Sequence, residues 1–425
     1  MIPLVIPRTE HPISRKMIDE EALKVLYRLH RHGFLSYLVG GSVRDLLLGK
    51  IPKDFDVATN AHPHDVNALF KNSRIVGRRF RLVHVFFKGG KIIEVSTFRS
   101  RSEFEETQTD GGELVRRESF GTPADDAFRR DITINGLFYN IADFSIIDYV
   151  GGMADLEKRI IRTIGDPDER FMQDPARMIR VIRHAARTRF SIEGQTYQAI
   201  LRYRDEIRKC SPSRLRDEFL RELKEGAAKP SLQIMLNTGL LCSLFPDLER
   251  ALGDRGLSGK KTQEFFLSLF DLVDQLIKTG RQVSESILLA LFLTPFLRAV
   301  TPQHSFLGKR EKYLYMTQTI HWTIHQILTP FSFPRGSKEM AYQILMAQSN
   351  IKKAIQKGGI PKRLRMKKYF KEAVLLFGFE AQAKGEKVPR VLGNAVPSDL
   401  LPWWPKELKR KHRRFGKHSS LPYWH

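Results

Sequence analysis

Cysteine is nearly absent from this 425-residue chain: Cys210 and Cys242 are the two, far apart and in no ligand-like spacing. That excludes a disulfide framework and a cysteine zinc site, and both are expected to be small buried hydrophobes. Long apolar runs are also missing. The densest block, ILLALFL at 287–293, is far short of the roughly 20 residues that span a bilayer, so it reads as a buried helix and no membrane partner is expected. The opening MIPLVIPRTEHPISRK is too short in apolar character for a secretion signal and is broken by Pro3 and Pro7, which points to a soluble, cytoplasmic protein. Acidic residues are scarce: 47 Asp and Glu stand against 71 Lys and Arg, a net charge of +24. A balance that basic favours a polyanionic partner such as nucleic acid.

The length suits two or three domains, and 42% hydrophobic residues suit folded ones. The stretch at 37–59, YLVGGSVRDLLLGKIPKDFDVAT, organises the rest. A short apolar strand, 36–39, runs into Gly40-Gly41, whose backbone can bend sharply and aim N–H groups at an anion. Arg44 follows, within reach of a phosphate or of Asp45. A second strand is expected to begin at Asp54, with Asp54 and Asp56 on one face and Phe55 on the other. Two adjacent carboxylates repel unless a cation lies between them, and Mg²⁺ bridges such carboxylates to substrate phosphates.

Upstream, residues 17–32 have helical spacing, with Gly33 as the stop. Downstream, a short helix opened by Pro63 precedes two β-rich runs, 82–87 and 92–98, joined by Lys88-Gly89-Gly90-Lys91 as a hairpin turn. Glu94 lies on the second run and is expected beside the two aspartates. Residues 99–126, polar and aperiodic around Gly111-Gly112, read as a mobile loop. Arg129, Arg130 and Asp131 then form a charged cluster directly before an apolar segment, suited to phosphates and ribose hydroxyls. From Met153 onward the pattern is helical. One helix is expected through ERFMQDPARMIRVIRHAARTRF, presenting Asp174, Arg177 and Arg180 on one side, with Arg183 and Arg187 on a solvated face. Phe265, Phe266, Leu269, Phe270, Val273 and Leu276 are expected to form a core stripe ended by Gly280, and Ser284 caps the next helix. His304, His321 and His325 read as ordinary helix residues, not a metal site.

GGSVRD with KDFD, RRDITINGL, DYVGGMADL and QDPARMIR, in this order, resemble the class II nucleotidyltransferases of the polymerase-β type, the bacterial poly(A) polymerases and CCA-adding enzymes. The resemblance implies an α+β protein: a nucleotidyltransferase head with a small mixed sheet (1–152), a base-reading helical neck (153–228), an all-α RNA-binding body (229–400) and a basic tail (401–425). It implies that Asp54 and Asp56 ligate two Mg²⁺ ions, with ATP as substrate. Gly40, Gly41, Ser42 and Arg44 fall on the triphosphate-facing loop, and Arg130 and Asp131 on the ribose-sensing motif. Asp174, Arg177 and Arg180 fall on the base-reading helix. The third acid is left open between Glu94 and Asp143.

Three features favour adenosine addition to RNA 3′ ends, of mRNA, other single-stranded RNA or tRNA, over the alternative of CCA addition. The segment RIVGRRFRLVHV resembles the poly(A) polymerase version, and Arg78, Arg79 and Arg81 suit a single-stranded phosphate backbone. Gln173 stands where the family's base-reading motif has Glu, and an amide complements adenine without charge. The basic run at 406–418, near Trp403, Trp404, Tyr423 and Trp424, and a second cluster at 357–368 suit RNA without sequence preference. A remoter alternative is an RNA-binding protein that keeps the fold without the chemistry.

Overall fold

The computed structural model describes residues 2–77, 81–108, 114–253, 257–300 and 308–393. Arg78, Arg79, Gly111-Gly112, His304 and the tail at 401–425 lie outside the described residues. The chain divides into two compact units, Met1–Lys209 and Cys210–His425.

In the first unit the helices α1 (Glu20–Arg31), α2 (Gly41–Leu47), α3 (Pro63–Leu69) and α4 (Pro123–Arg129) surround a sheet. Its strands are β1 (Leu4–Ile6), β2 (Ser36–Val39), β3 (Asp56–Thr59), β4 (Ser73–Val76), β5 (Leu82–Phe86), β6 (Ile92–Thr97), β9 (Leu137–Asn140) and β10 (Ile146–Asp148). They lie in the order β1-β10-β9-β2-β3-β6-β5-β4. β3 and β6 run parallel, while the other neighbouring pairs are antiparallel.

The side-chain period of two splits the sheet into an oily face and a working face. Leu38, Val57, Val83, Val85, Ile93 and Val95 pack with α1 and α3 in one core. Truncating such a side chain, as in Leu38→Ala, costs about 2–5 kcal/mol. Helix α1 starts where the Asp19 carboxylate accepts from the N–H groups of Glu21 and Ala22, and it ends before Gly33 at φ +84°. The other face carries Tyr37, Val39, Ala58 and Phe138, covered by Phe98 and by Ala127 of α4.

The segment expected as a loop is instead two strands, β7 (Arg99–Gln108) and β8 (Leu114–Phe120), paired antiparallel. Their register sets Glu105 opposite Arg117 and Glu106 opposite Arg116, a pairing by unlike charge that a search for apolar alternation misses. The strand carrying the aspartates begins at Asp56, so Asp54 lies in the turn before it and not on a shared strand face.

The region beyond Met153 is not helical throughout. Between α5 (Gly152–Lys158) and α8 (Gly194–Tyr203), β11 (Ile160–Ile161) pairs parallel with β12 (Ser191–Ile192). The single expected helix is also two, α6 (Pro167–Gln173) and α7 (Ala176–Thr188). Pro175 disfavours helical geometry in the residue before it, and Asp174 is accordingly extended at φ −147°, ψ 89°. Arg183, expected on a solvated face, is buried, because α7 packs on more than one side.

The second unit is helical: α9 (Pro212–Lys224), α10 (Ala228–Asn237), α11 (Leu240–Leu244), α12 (Asp247–Leu252), α13 (Leu257–Lys278), α14 (Glu285–Val300), α15 (Lys309–Leu328), α16 (Arg335–Gln356), α17 (Lys362–Arg365), α18 (Phe370–Ala383) and α19 (Arg390–Gly393). Phe219, Phe245, Phe292 and Phe331 meet in its core, Phe245 and Phe331 stacked at 4.6 Å. Residues 287–293 are buried within α14, as their apolarity requires. Asp274 of α13 accepts from the N–H groups of Ala228 and Lys229, so a neighbouring helix caps α10. Cys210 and Cys242 are partly exposed rather than fully buried. No helix among the described residues is long and apolar enough to cross a membrane.

Candidate active site

Strand register builds the first half of the site. Val39 of β2 stands opposite Phe138 and Asp56, Asp56 opposite Glu94, and Glu94 opposite His84 of β5. One row on the working face therefore reads Phe138, Val39, Asp56, Glu94, His84, and His84 Nε2 lies 3.6 Å from Glu94 Oε2. Asp56 is water-accessible at one edge, yet protein crowds its carboxylate. Burial, then the charges of Glu94 and Asp54, push its pKa up to about 6, against the opposing pull of Arg130. The sequence left two candidates for the third acid, and the topology separates them. Asp143 lies in the turn between β9 and β10, at the Thr59 end of the sheet, where its carboxylate accepts from the N–H and hydroxyl of Ser145. Glu94 is beside Asp56.

These carboxylates suit a hard divalent cation, since a positive charge relieves the repulsion that raises the Asp56 pKa. Among the described residues no three His, Cys, Asp or Glu gather closely enough to cage a metal by themselves.

The glycine turn adjoins this row. Gly40 takes φ +72°, and a Cβ there would meet Arg130 Nη1 at 3.1 Å. Arg130 lies over the Phe138 ring at 5.3 Å and pairs with Asp126 Oδ2 at 2.9 Å. Its guanidinium is thus beside both the glycine turn and Asp56. Ser42 is buried and donates to Val39 O, a bond that ties the turn to the end of β2. Arg44 is 3% exposed; its guanidinium bonds Asp45 Oδ1 at 2.9 Å and Asn135 Oδ1 at 2.6 Å, and lies 3.3 Å from His184 Nδ1. The Asp45 bond is one of the two partners that the sequence offered for Arg44. Asn135 Nδ2 is 3.2 Å from His184 Nε2. Burial and the adjacent Arg44 hold His184 well below its ordinary pKa, and hence neutral.

The second half of the site is an ion-pair cluster. Asp131 accepts from Arg177 Nε at 3.0 Å and Arg180 Nε at 2.7 Å. Asp174 accepts from Arg180 Nη2 at 2.8 Å and lies 3.7 Å from Arg177 Nε. The break at Pro175 lets the acid turn back onto arginines three and six residues on. Arg170 clamps the carbonyls of Arg129 and Arg130, and burial lowers its pKa to about 10. Gln173, at the end of α6, is exposed and its amide is without a hydrogen bond. Sequence reasoning missed Asn135, His184, Asp126 and Arg170. Asp126 was findable as the acid four residues before Arg130, while Asn135 and His184 meet only through the fold. Of the basic trio, Arg81 is described and exposed.

The sheet with its row of carboxylates, followed by a helical unit, defines a nucleotidyltransferase-type head on an α-helical body. Residues 36–162 match the poly A polymerase head domain, and residues 189–252 match the probable RNA- and SrmB-binding site of polymerase A. A poly(A) polymerase I of Salmonella typhi is 45% identical over 300 residues, 69% of this chain and 64% of that protein. A CCA-adding enzyme of Lactobacillus johnsonii is 37% identical over 220 residues, 52% of this chain and 54% of that protein. Among solved structures, the Bacillus stearothermophilus CCA-adding enzyme in complex with CTP aligns with TM-score 0.53 and 25% identity, over 88% of this chain and 82% of that one. Residues 36–162 thus share the poly A polymerase head, and the chain is similar to both bacterial poly(A) polymerases and CCA-adding enzymes. Its match spans just under two thirds of the Salmonella relative's length.

Proposed function

We propose that this protein adds adenosine from ATP to RNA 3′ ends without a template, releasing pyrophosphate, as a cytoplasmic enzyme acting on mRNA and other RNAs. The observation that carries the reading is the convergence of Asp56, Glu94 and Asp54 beside Arg130 and the Gly40 turn. Asp54 and Asp56, with Glu94 adjoining, would hold Mg²⁺. Bound there, two such ions supply Lewis acidity to an incoming 3′-hydroxyl and to the triphosphate.

The protein's own groups bind and orient. The Gly40-Gly41 backbone and Arg130 receive phosphates, and Arg44 braces the turn by tying α2 to Asn135 and α7. Asp131 accepts from a ribose hydroxyl, which favours ribonucleotides. Gln173, Asp174 and Arg177 present hydrogen-bonding groups to the base, and the uncharged, unpartnered Gln173 amide complements adenine. Residues 153–228 serve as the base-reading neck, with the helices beyond as the RNA-binding body.

CCA addition is the second reading, favoured by the solved relatives of like architecture. Incubation with an unstructured RNA and with tRNA lacking its 3′ end, each with ATP alone or with CTP, separates the two. Long adenosine tails on both substrates support the proposal. Addition confined to C, C and A on the tRNA overturns it, and no transfer at all favours a non-catalytic RNA binder.

A further inference from the structure

Helices α15 and α16 are joined by a short connection, with a single turn at Thr329–Phe331, and pack side by side as an antiparallel pair. Leu314, Gln318, His321, Trp322 and His325 fall at i, i+4, i+7, i+8 and i+11, one face of α15, and all five are exposed. Leu314 is 56% and Trp322 53% exposed, an unusual position for side chains that ordinarily bury. On α16 the adjoining face reads Arg335, Lys338, Tyr342, Met346 and Lys353. The two faces meet in an aromatic contact: the His321 and Tyr342 rings stack at 4.1 Å, 23° from parallel.

Positive charge predominates on this ridge, with Glu311 and Glu339 the two acids of its helices. Together the helices hold seven Lys and Arg against two Glu, a net of +5. Among the described residues, Arg310, Arg335, Lys338 and Lys353 form no ion pair or side-chain hydrogen bond, although Glu311 and Glu339 sit on the same helices. Glu311 is occupied by the Gly308 N–H and Glu339 by Gln343. Lys338 and Lys353 are 15 residues apart, a span of about 22 Å along the helix. The aromatic contact falls between them.

We propose that this ridge is a stacking platform for single-stranded RNA, Trp322 and the His321–Tyr342 pair receiving bases while the flanking Lys and Arg follow the phosphates. Stacking on exposed rings with unpaired cations alongside is how a protein binds single strands without reading sequence. A protein partner with an acidic face would find the cations but leave the flat rings unexplained. The inference rests on RNA being the substrate and goes beyond it, because none of these residues belongs to the nucleotide site.

The full chain supplies its own probe. Replacing Trp403, Trp404 and Trp424 with Phe leaves Trp322 as the single tryptophan, and the variant is titrated with oligoadenylate without ATP. Trp322 fluorescence is expected to quench as RNA binds. Trp322→Ala is expected to weaken binding about tenfold and Trp322→Phe to retain most of it, stacking being worth about 1–3 kcal/mol per base. Unchanged fluorescence at saturating RNA, or equal quenching by inorganic polyphosphate, overturns the proposal, as does a response to protein concentration alone, which indicates a second copy on the ridge. A chain that extends RNA with a silent Trp322 loses this inference only. One whose Trp322 quenches but which transfers no nucleotide loses the enzymatic reading only.

Discussion

Asp56 shows how much depends on one carboxyl group. Its pKa stands at about 6, above the ordinary 3.8, so the folded protein binds a proton that the unfolded chain releases. Stability of the metal-free protein therefore falls as pH rises from about 4 through 6. A shift of that size corresponds to at most about 3 kcal/mol, and with water reaching the carboxylate, screening reduces it to about 1 kcal/mol. Asp56→Asn is expected to raise the thermal midpoint of the metal-free protein at pH 7 while abolishing nucleotide transfer. Mg²⁺ with ATP is expected to stabilise the wild type more at pH 7 than at pH 5, and a flat response in differential scanning fluorimetry would count against a cation at these carboxylates. Gln173→Glu is expected to keep ATP use; if primer extension shows efficient CTP incorporation, the amide was the adenine-selective element. The two aspartates were legible in the sequence from their spacing, but the choice of Glu94 over Asp143 was not. What the sequence hid is position: register across β2, β3, β6 and β9 puts Glu94 beside Asp56 and Asp143 at the opposite, Thr59 end of the sheet.

Among the elements, the turn into α2 is held in a conformation that other residues avoid. Gly40 combines φ +72° with a close approach to Arg130. Gly40→Ala is expected to cost about 1–2 kcal/mol for the left-handed backbone, read as a lower urea midpoint, and to raise KM for ATP by displacing Arg130. Helix α7 makes a complementary point. Its arginines were visible at three-residue intervals, but the partners they choose were not, because Asp131 is more than forty residues away in sequence. Asp131→Ala is expected to relax the preference for ribonucleotides over deoxyribonucleotides, with kcat/KM for dATP rising relative to ATP in a primer-extension assay. An unchanged ratio would remove Asp131 from sugar recognition. The paired strands at Arg99–Gln108 and Leu114–Phe120 escaped the sequence reading for the opposite reason: they carry charge where a half-buried strand carries an apolar alternation.

At the scale of the whole molecule, the net charge of +24 predicts how RNA binding responds to salt. If about six phosphates are neutralised, the logarithmic slope on single strands is about −4, and raising salt from about 50 to 200 mM weakens binding by two to three orders of magnitude. Filter binding with a short oligoadenylate measures it, and a slope near zero would exclude a phosphate-tracking surface. The helical unit was legible as helical because its apolar stripes are long and regular, as in α13 and α14. The sheet order was legible only in part: the β5–β6 hairpin was, while the β1–β10 and β2–β9 pairings join strands far apart in sequence.

That order also sets the sequence of events on the ribosome. β2 through β6 form a contiguous block, and Asp56 and Glu94 come side by side once β6 has emerged. β9 and β10 join only afterwards, on the other flank of β2, and β1 waits for β10. Strand β2 therefore has one edge unpaired while roughly forty more residues, from β6 to β9, are synthesised, a window in which a nascent edge is open to mispairing. The carboxylate half of the site is assembled first and the Asp131–Arg177–Arg180 half last, so substitutions in β9 or β10 are expected to lower the yield of folded protein in the cell more than they lower the activity of the molecules that do fold.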